Sequence, residues 1–68
     1  MKTKIYLAIN NLNEGFICEA INKKQMRAAG MNMSLDWEEY PSYNSAINEL
    51  KCSELPLKRE CNVSNCEF

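Results

Sequence analysis

The sequence contains no histidine. That absence removes Ser-His and Cys-His nucleophilic catalysis, histidine general-base chemistry and every zinc site built on imidazole. No glycine-rich phosphate loop or dinucleotide fingerprint is present, and glycine and proline occur only twice each. An excess of cations is missing too. Eight Lys and Arg stand against nine Asp and Glu, for a net charge of −1, so the chain lacks the easiest means of gripping phosphates regardless of sequence. No apolar run approaches the roughly 20 residues of a membrane span. The opening MKTKIYLAINNLNEG turns polar after a short apolar stretch, unlike a secretory signal. The expected compartment is therefore the cytoplasm of a host cell, with no membrane partner.

What remains is enough for one small domain. The chain has 68 residues, 46% of them apolar, which is too apolar for a disordered tail. A chain of this length buries only about 60% of the surface its unfolded form exposes, so its core must be small. We expect a single domain over residues 1–56 and a polar tail over 57–68. Of the four cysteines, Cys18 and Cys52 lie in apolar patterns and read as core residues. Cys61 and Cys66 lie in the tail, where free thiols, a disulfide and a metal pair all stay open. A lone C-x4-C with scattered partners is a poor match to a zinc site. No metal or cofactor is expected.

Along the chain, Ile5, Leu7 and Ile9 alternate with Tyr6, Ala8 and Asn10, the period of a half-buried strand. NLNEG then supplies the Asn and Gly of a hairpin turn, returning through FICEAIN, residues 16–22. Residues 17–29 also contain good helix formers, and Gly30 fits the C′ position of a helix. Their apolar side chains spread over more than half a helical circle, with Lys24 and Gln25 among them, so the hairpin is preferred. KKQMRAAGMNM follows as a connector from which Met26, Met31 or Met33 tucks under the sheet. A third strand, SLDWEEY over 34–40, turns Leu35, Trp37 and Glu39 one way and Asp36, Glu38 and Tyr40 the other. Pro41 stops it and Ser42 caps a helix over about 43–54. That helix carries a Tyr43/Ala46/Ile47/Leu50 stripe and ends before Pro56. The expected fold is α+β: a three-stranded antiparallel sheet packed on one C-terminal helix, β-β-β-α, with its second face polar or covered by a partner. An uncovered edge could pair with a second copy.

KIYLAINNLNEGFICEA followed by EEYPSYNSAINEL resembles short accessory proteins of phages and prophages. It is also similar to HicB-type antitoxin domains and to the strand-strand-strand-helix arm-binding modules of phage integrases. The chain departs from the HicB pattern in lacking a Pro-Gly segment after the second strand. It departs from the arm-binding pattern in lacking a basic, aromatic sheet face. The phage-like resemblance implies a host protein or ribonucleoprotein complex as partner, with inhibition of the anti-CRISPR or another anti-defence type.

From the residues themselves, Asp36, Glu38 and Glu39 are candidate paired carboxylates, but an open surface on so short a chain gives them no closed pocket in which to do acid–base work. A non-enzymatic binding module is the expected class. Its candidate contact surface is Asp36, Trp37, Glu38, Glu39, Tyr40 and Tyr43, an acidic and aromatic edge suited to a basic target. Trp37 and Tyr43 also read as core residues. The alternative is a nucleic-acid-binding or antitoxin-like module using Lys23, Lys24 and Arg27, helped by Lys2 and Lys4.

Overall fold

The computed structural model describes residues 2–65. Strand β1 spans Lys4–Ile9 and pairs antiparallel with β2, Gly15–Ala20, from Lys4↔Ala20 to Ile9↔Gly15. The Asn-rich turn closes the hairpin as its composition demands. The Asn10 side-chain oxygen accepts hydrogen bonds from the backbone nitrogens of Leu12 and Glu14 at 3.0 and 2.9 Å, and Asn13 takes φ 59°, a left-handed conformation asparagine tolerates.

Of the two readings of residues 17–29, the preferred strand holds for the first part, and a helix forms only over the later residues. The strand ends at Ala20, and helix α1 spans Lys23–Ala28. Asn22 caps it by accepting from the Gln25 backbone nitrogen at 2.8 Å. Gly30, at φ 84°, ends it in a Schellman turn, with Met31 N bonded to Met26 O and Gly30 N to Arg27 O. The connector KKQMRAAGMNM is thus half helix rather than wholly loop. Its methionines do pack under the sheet: Met26 is fully buried, and Met31 and Met33 lie against the same cluster.

Strand β3 is shorter than expected, Glu38–Tyr40 rather than 34–40, and pairs antiparallel with β1. The preceding segment folds over the sheet instead. Helix α2 spans Tyr43–Cys52, and the Ser42 hydroxyl accepts from Ser45 N at 3.1 Å, as its cap position implied. The polar tail is the main correction. Leu57–Asn62 form β4, parallel to β2, so the sheet has four strands in the order β3-β1-β2-β4 and is mixed, not purely antiparallel. Val63, just beyond, is buried. The expected boundary at residue 56 therefore cuts through the sheet.

The sheet has helices on both faces. Leu7 and Ile17 meet Ala46 and Leu50 of α2, with Ile5, Tyr40, Ile47 and Leu55 around them. On the other face Tyr6, Ala8, Cys18 and Ala20 meet Met26, Trp37 and Val63. The second face is accordingly covered by the chain itself, through α1 and residues 29–37, and is not free for a partner. Cys18 is a core residue as expected, whereas Cys52 is exposed at the end of α2. Cys52 and Cys61 are free thiols. Cys66 lies outside the described residues, as does any metal or disulfide pairing that would involve it.

One buried polar side chain joins three elements. Gln25 is 1% exposed. Its Oε1 accepts from Ile21 N at 2.7 Å, just past β2, and its Nε2 donates to Ser64 O at 3.0 Å, just past β4. Gln25→Leu keeps the volume and strands both backbone groups. We expect a loss of about 2 kcal/mol, read as a lowered urea midpoint with unchanged slope. A second position points the other way. Glu54 closes α2 in a Schellman turn at φ 55°, with Leu55 N bonded to Leu50 O at 2.9 Å. A left-handed conformation disfavours any side chain with a Cβ, so Glu54→Gly should raise stability by up to about 1 kcal/mol in the same assay.

Candidate functional site: an acidic margin beside the last helix

The register of β3 against β1 divides the acidic-aromatic stretch. Tyr40 pairs with Ile5 and Glu38 with Leu7, whereas Glu39 pairs with Tyr6. Directly opposed residues share a face, so Tyr40 and Glu38 lie on the α2 side and Glu39 on the α1 side. This is the alternation read from SLDWEEY. It separates the six candidate contact residues.

Asp36, Glu38 and Tyr40 stay together. They line a shallow depression of about 200 Å3 at the margin between β3 and α2, with Glu49 and Ser53 of the helix on the other bank and Leu7 and Ile9 beneath. Ile9 is 40% exposed, so the floor has an apolar element open to solvent. The ion pairs among the described residues are Lys4–Glu39 at 3.7 Å and Lys58–Glu14 at 3.6 Å. Neither involves Asp36, Glu38 or Glu49. Three carboxylates therefore line one depression, and among the described residues no basic side chain lies within salt-bridge distance of them. Burial holds the Tyr40 hydroxyl above its ordinary pKa, and the charges of Glu49 and Glu38 and a hydrogen bond to Glu49 push it the same way.

The other three candidates sit elsewhere. Trp37 is 3% exposed, and its Nε1 donates to Asn32 O at 2.9 Å. It is a core anchor that holds the 29–37 segment over the sheet. Glu39 is exposed and reaches Lys4. Tyr43 lies at the opposite end of the sheet face, its hydroxyl donating to Glu60 of β4 at 2.5 Å, which ties the start of α2 to the far edge strand. That hydrogen bond is the main reason its hydroxyl keeps its proton above the ordinary value.

Glu49 and Ser53 were not among the residues singled out from the sequence. The signal was present. Both flank the Ala46/Leu50 stripe on one side at i, i+4 spacing, which places them on the helix margin nearest β3. The alternative residues Lys23, Lys24 and Arg27 are all exposed on α1. They lie on the opposite side of the sheet from the depression. Arg59 joins that side, lining a groove with Phe16, Met31 and Trp37. Lys2 and Lys4 border a third hollow with Glu39, which adjoins the acidic depression at Tyr40.

No group of three or more Cys, Asp or Glu among the described residues is arranged to hold a metal ion. No helix among them is long and apolar enough to cross a membrane. Comparison with protein-family models, with curated proteins and with solved structures returns no match.

The three tyrosines give the fold a pH signature. Tyr6, Tyr40 and Tyr43 all hold their protons above the ordinary value of 10.0, the first two chiefly through burial and the last through its bond to Glu60. A raised folded-state pKa favours the protonated form, so this stability is fully present below about pH 10 and is lost as pH rises through the folded values. Ultraviolet titration of tyrosinate should show ionisation delayed past free tyrosine, with the melting temperature falling over the same range.

Proposed function

We propose that this chain is a non-enzymatic binding protein that docks on a basic surface of a macromolecular partner through the Asp36/Glu38/Tyr40/Glu49 margin. The observation that supports it most is the set of three carboxylates around an apolar-floored depression, none of them in an ion pair with a described residue. Neighbouring like charges repel, and the ion pairs among the described residues leave out Asp36 and Glu38. A cationic surface would remove the repulsion on docking, and Ile9 and Tyr40 would supply the apolar contact that outlasts salt screening.

The class of partner follows from the chemistry. A basic surface with apolar neighbours is the character of a nucleic-acid-binding groove, and covering one is inhibition by occlusion. Together with the resemblance to phage accessory proteins, this favours a host nucleic-acid-binding protein or ribonucleoprotein complex, inhibited in an anti-CRISPR or other anti-defence manner. A second reading has its own support. Lys23, Lys24, Arg27 and Arg59 share the α1 side of the molecule, a cationic face suited to phosphates.

The two readings separate by charge reversal, because the surfaces lie on opposite sides of the sheet. Tagged protein is used to capture partners from bacterial lysate with and without nuclease. Under the first reading a stoichiometric protein survives nuclease, is lost with Glu38→Lys combined with Glu49→Lys, and persists with Lys23→Glu, Lys24→Glu and Arg27→Glu together. Recovery should weaken steeply with salt. Capture that vanishes on nuclease treatment, or that follows the α1 cations, sinks the acidic-margin reading and supports the second.

A further inference from the structure

The groove on the α1 side combines apolar walls with a single cation. It has a volume of about 330 Å3 and lies between Phe16 of β2, Arg59 of β4 and the segment that runs from Ala29 to Trp37. Phe16, Met31 and Leu35 are only half-buried there, and the indole of the buried Trp37 completes the lining. Among the described residues Arg59 is the one charged side chain that lines it, and neither of their ion pairs engages it.

A break in the β2–β4 register puts Arg59 on this face. Gly15 pairs with Leu57 but Phe16 pairs with Arg59, so Lys58 is an extra residue in the ladder. In an unbroken register Phe16 would meet Lys58, and Arg59 would meet Ile17 on the α2 side. Bulges re-aim side chains in this way. Asn32 supplies a second polar group. Its Oδ1 accepts from the Ser34 nitrogen at 3.0 Å and the Ser34 hydroxyl at 2.6 Å, which fixes the amide with Nδ2 as its donor. The Trp37 Nε1 is already bonded to Asn32 O. The polar side chains of the lining therefore offer a guest donors: a guanidinium and an amide N–H.

We propose that this groove binds a small amphipathic monocarboxylate, an alkyl chain ending in a carboxylate. The guanidinium fork matches the two carboxylate oxygens, and one charge balances one charge. A carboxylate accepts hydrogen bonds and donates none, as a lining of donors requires. A phosphate monoester would bring about −1.5 to −2 against a single cation, and an alkylamine would set like charge against Arg59. The alkyl chain would cover the exposed carbon of Phe16, Met31 and Leu35, which favours leaving water. Ligand pockets run from roughly 300 to 1,000 Å3, and this groove lies at the small end, so a short chain fits. The site shares no residue with the acidic margin and does not rest on it.

Trp37 is the chain's single tryptophan and lines the groove, so its fluorescence reports occupancy. The full chain is titrated with octanoate at low salt, followed by that fluorescence and by heteronuclear amide spectra. Saturable binding with a Kd of roughly 1 mM or tighter is expected, with amide shifts centred on residues 29–32 and 59. Octanamide keeps the chain but not the charge, and should bind about tenfold more weakly or worse. Arg59→Gln should lose as much for octanoate. Arg59 is exposed on an edge strand, so this variant should fold, and Arg59→Lys should recover part of the loss. Glu38→Lys combined with Glu49→Lys should bind octanoate as the parent does, which separates this site from the acidic margin. The site is overturned if about 10 mM octanoate moves neither signal, or if the shifts centre elsewhere. It is equally overturned if octanamide, or octanoate on Arg59→Gln, binds as tightly as octanoate on the parent. Sedimentation that shows a parent dimer which octanoate merely dissociates also overturns it, and gives the groove to a second copy.

Discussion

The handedness of crossover connections governs this fold. Both β2 and β3 run antiparallel to β1, and β4 runs parallel to β2, so β2, β3 and β4 all point the same way. The chain therefore makes two parallel crossovers, β2 to β3 through α1 and β3 to β4 through α2. In the order β3-β1-β2-β4 the first travels across the sheet in one direction and the second travels back. Parallel crossovers share one hand, and two of the same hand running in opposite directions must lie on opposite faces. The packing agrees, with Met26 of α1 against Tyr6 and Ala8 and Ala46 of α2 against Leu7 and Ile17. Once β4 joins the far edge, neither face of the sheet is left open. Function is pushed to the margins.

Gln25 holds the first of those crossovers in place. A six-residue helix is too short to be stable by itself, and α1 offers only Met26 and Ala29 to the α1-side cluster. Its polar anchor compensates by fixing the end of β2 and the end of β4 to a single amide. Trp37 does the corresponding work for the segment before β3, its ring buried and its Nε1 bonded within its own loop. The second crossover relies on apolar contact and on caps, with Ser42 at one end and the Leu50–Leu55 turn at the other.

Where the sequence was legible, one local force dominated. β1 could be read because its alternation is strict and both sets of side chains find cover. The facing of Asp36, Glu38 and Tyr40 against Trp37 and Glu39 could be read because period two survives even where the strand is only three residues long. The Ser42 cap and the Ala46/Leu50 stripe were equally plain. β4 was opaque for a physical reason. As an edge strand its charged side chains Lys58, Arg59 and Glu60 lie in solvent, so it carries no apolar period, and its parallel pairing is a long-range contact. Charges of this kind blunt an edge against further pairing, which also makes the strand look like a tail. Gln25 misled most directly. A polar residue among apolar ones spoiled the helical stripe on paper, yet in the fold its amide bonds the ends of β2 and β4.

The same reasoning explains why the acidic margin was half visible. Asp36, Glu38 and Tyr40 are neighbours in sequence, but Glu49 reaches them only because α2 crosses back over the β1–β3 pair. No local pattern records that approach. What the fold adds is a contrast between pairs. Glu39 and Glu14 each find a lysine, and Glu60 finds the Tyr43 hydroxyl. Those acids are spent on holding strands and helices together. Asp36 and Glu38 make no such link, and Glu49 adds its charge and its hydrogen bond to Tyr40 beside them. Tying elements together accounts for the first group and for the Glu49–Tyr40 bond but not for Asp36 and Glu38, while repulsion among the three carboxylates works against the short strand they border. A cationic surface brought to that margin would relieve the repulsion without disturbing any of the contacts that hold the sheet.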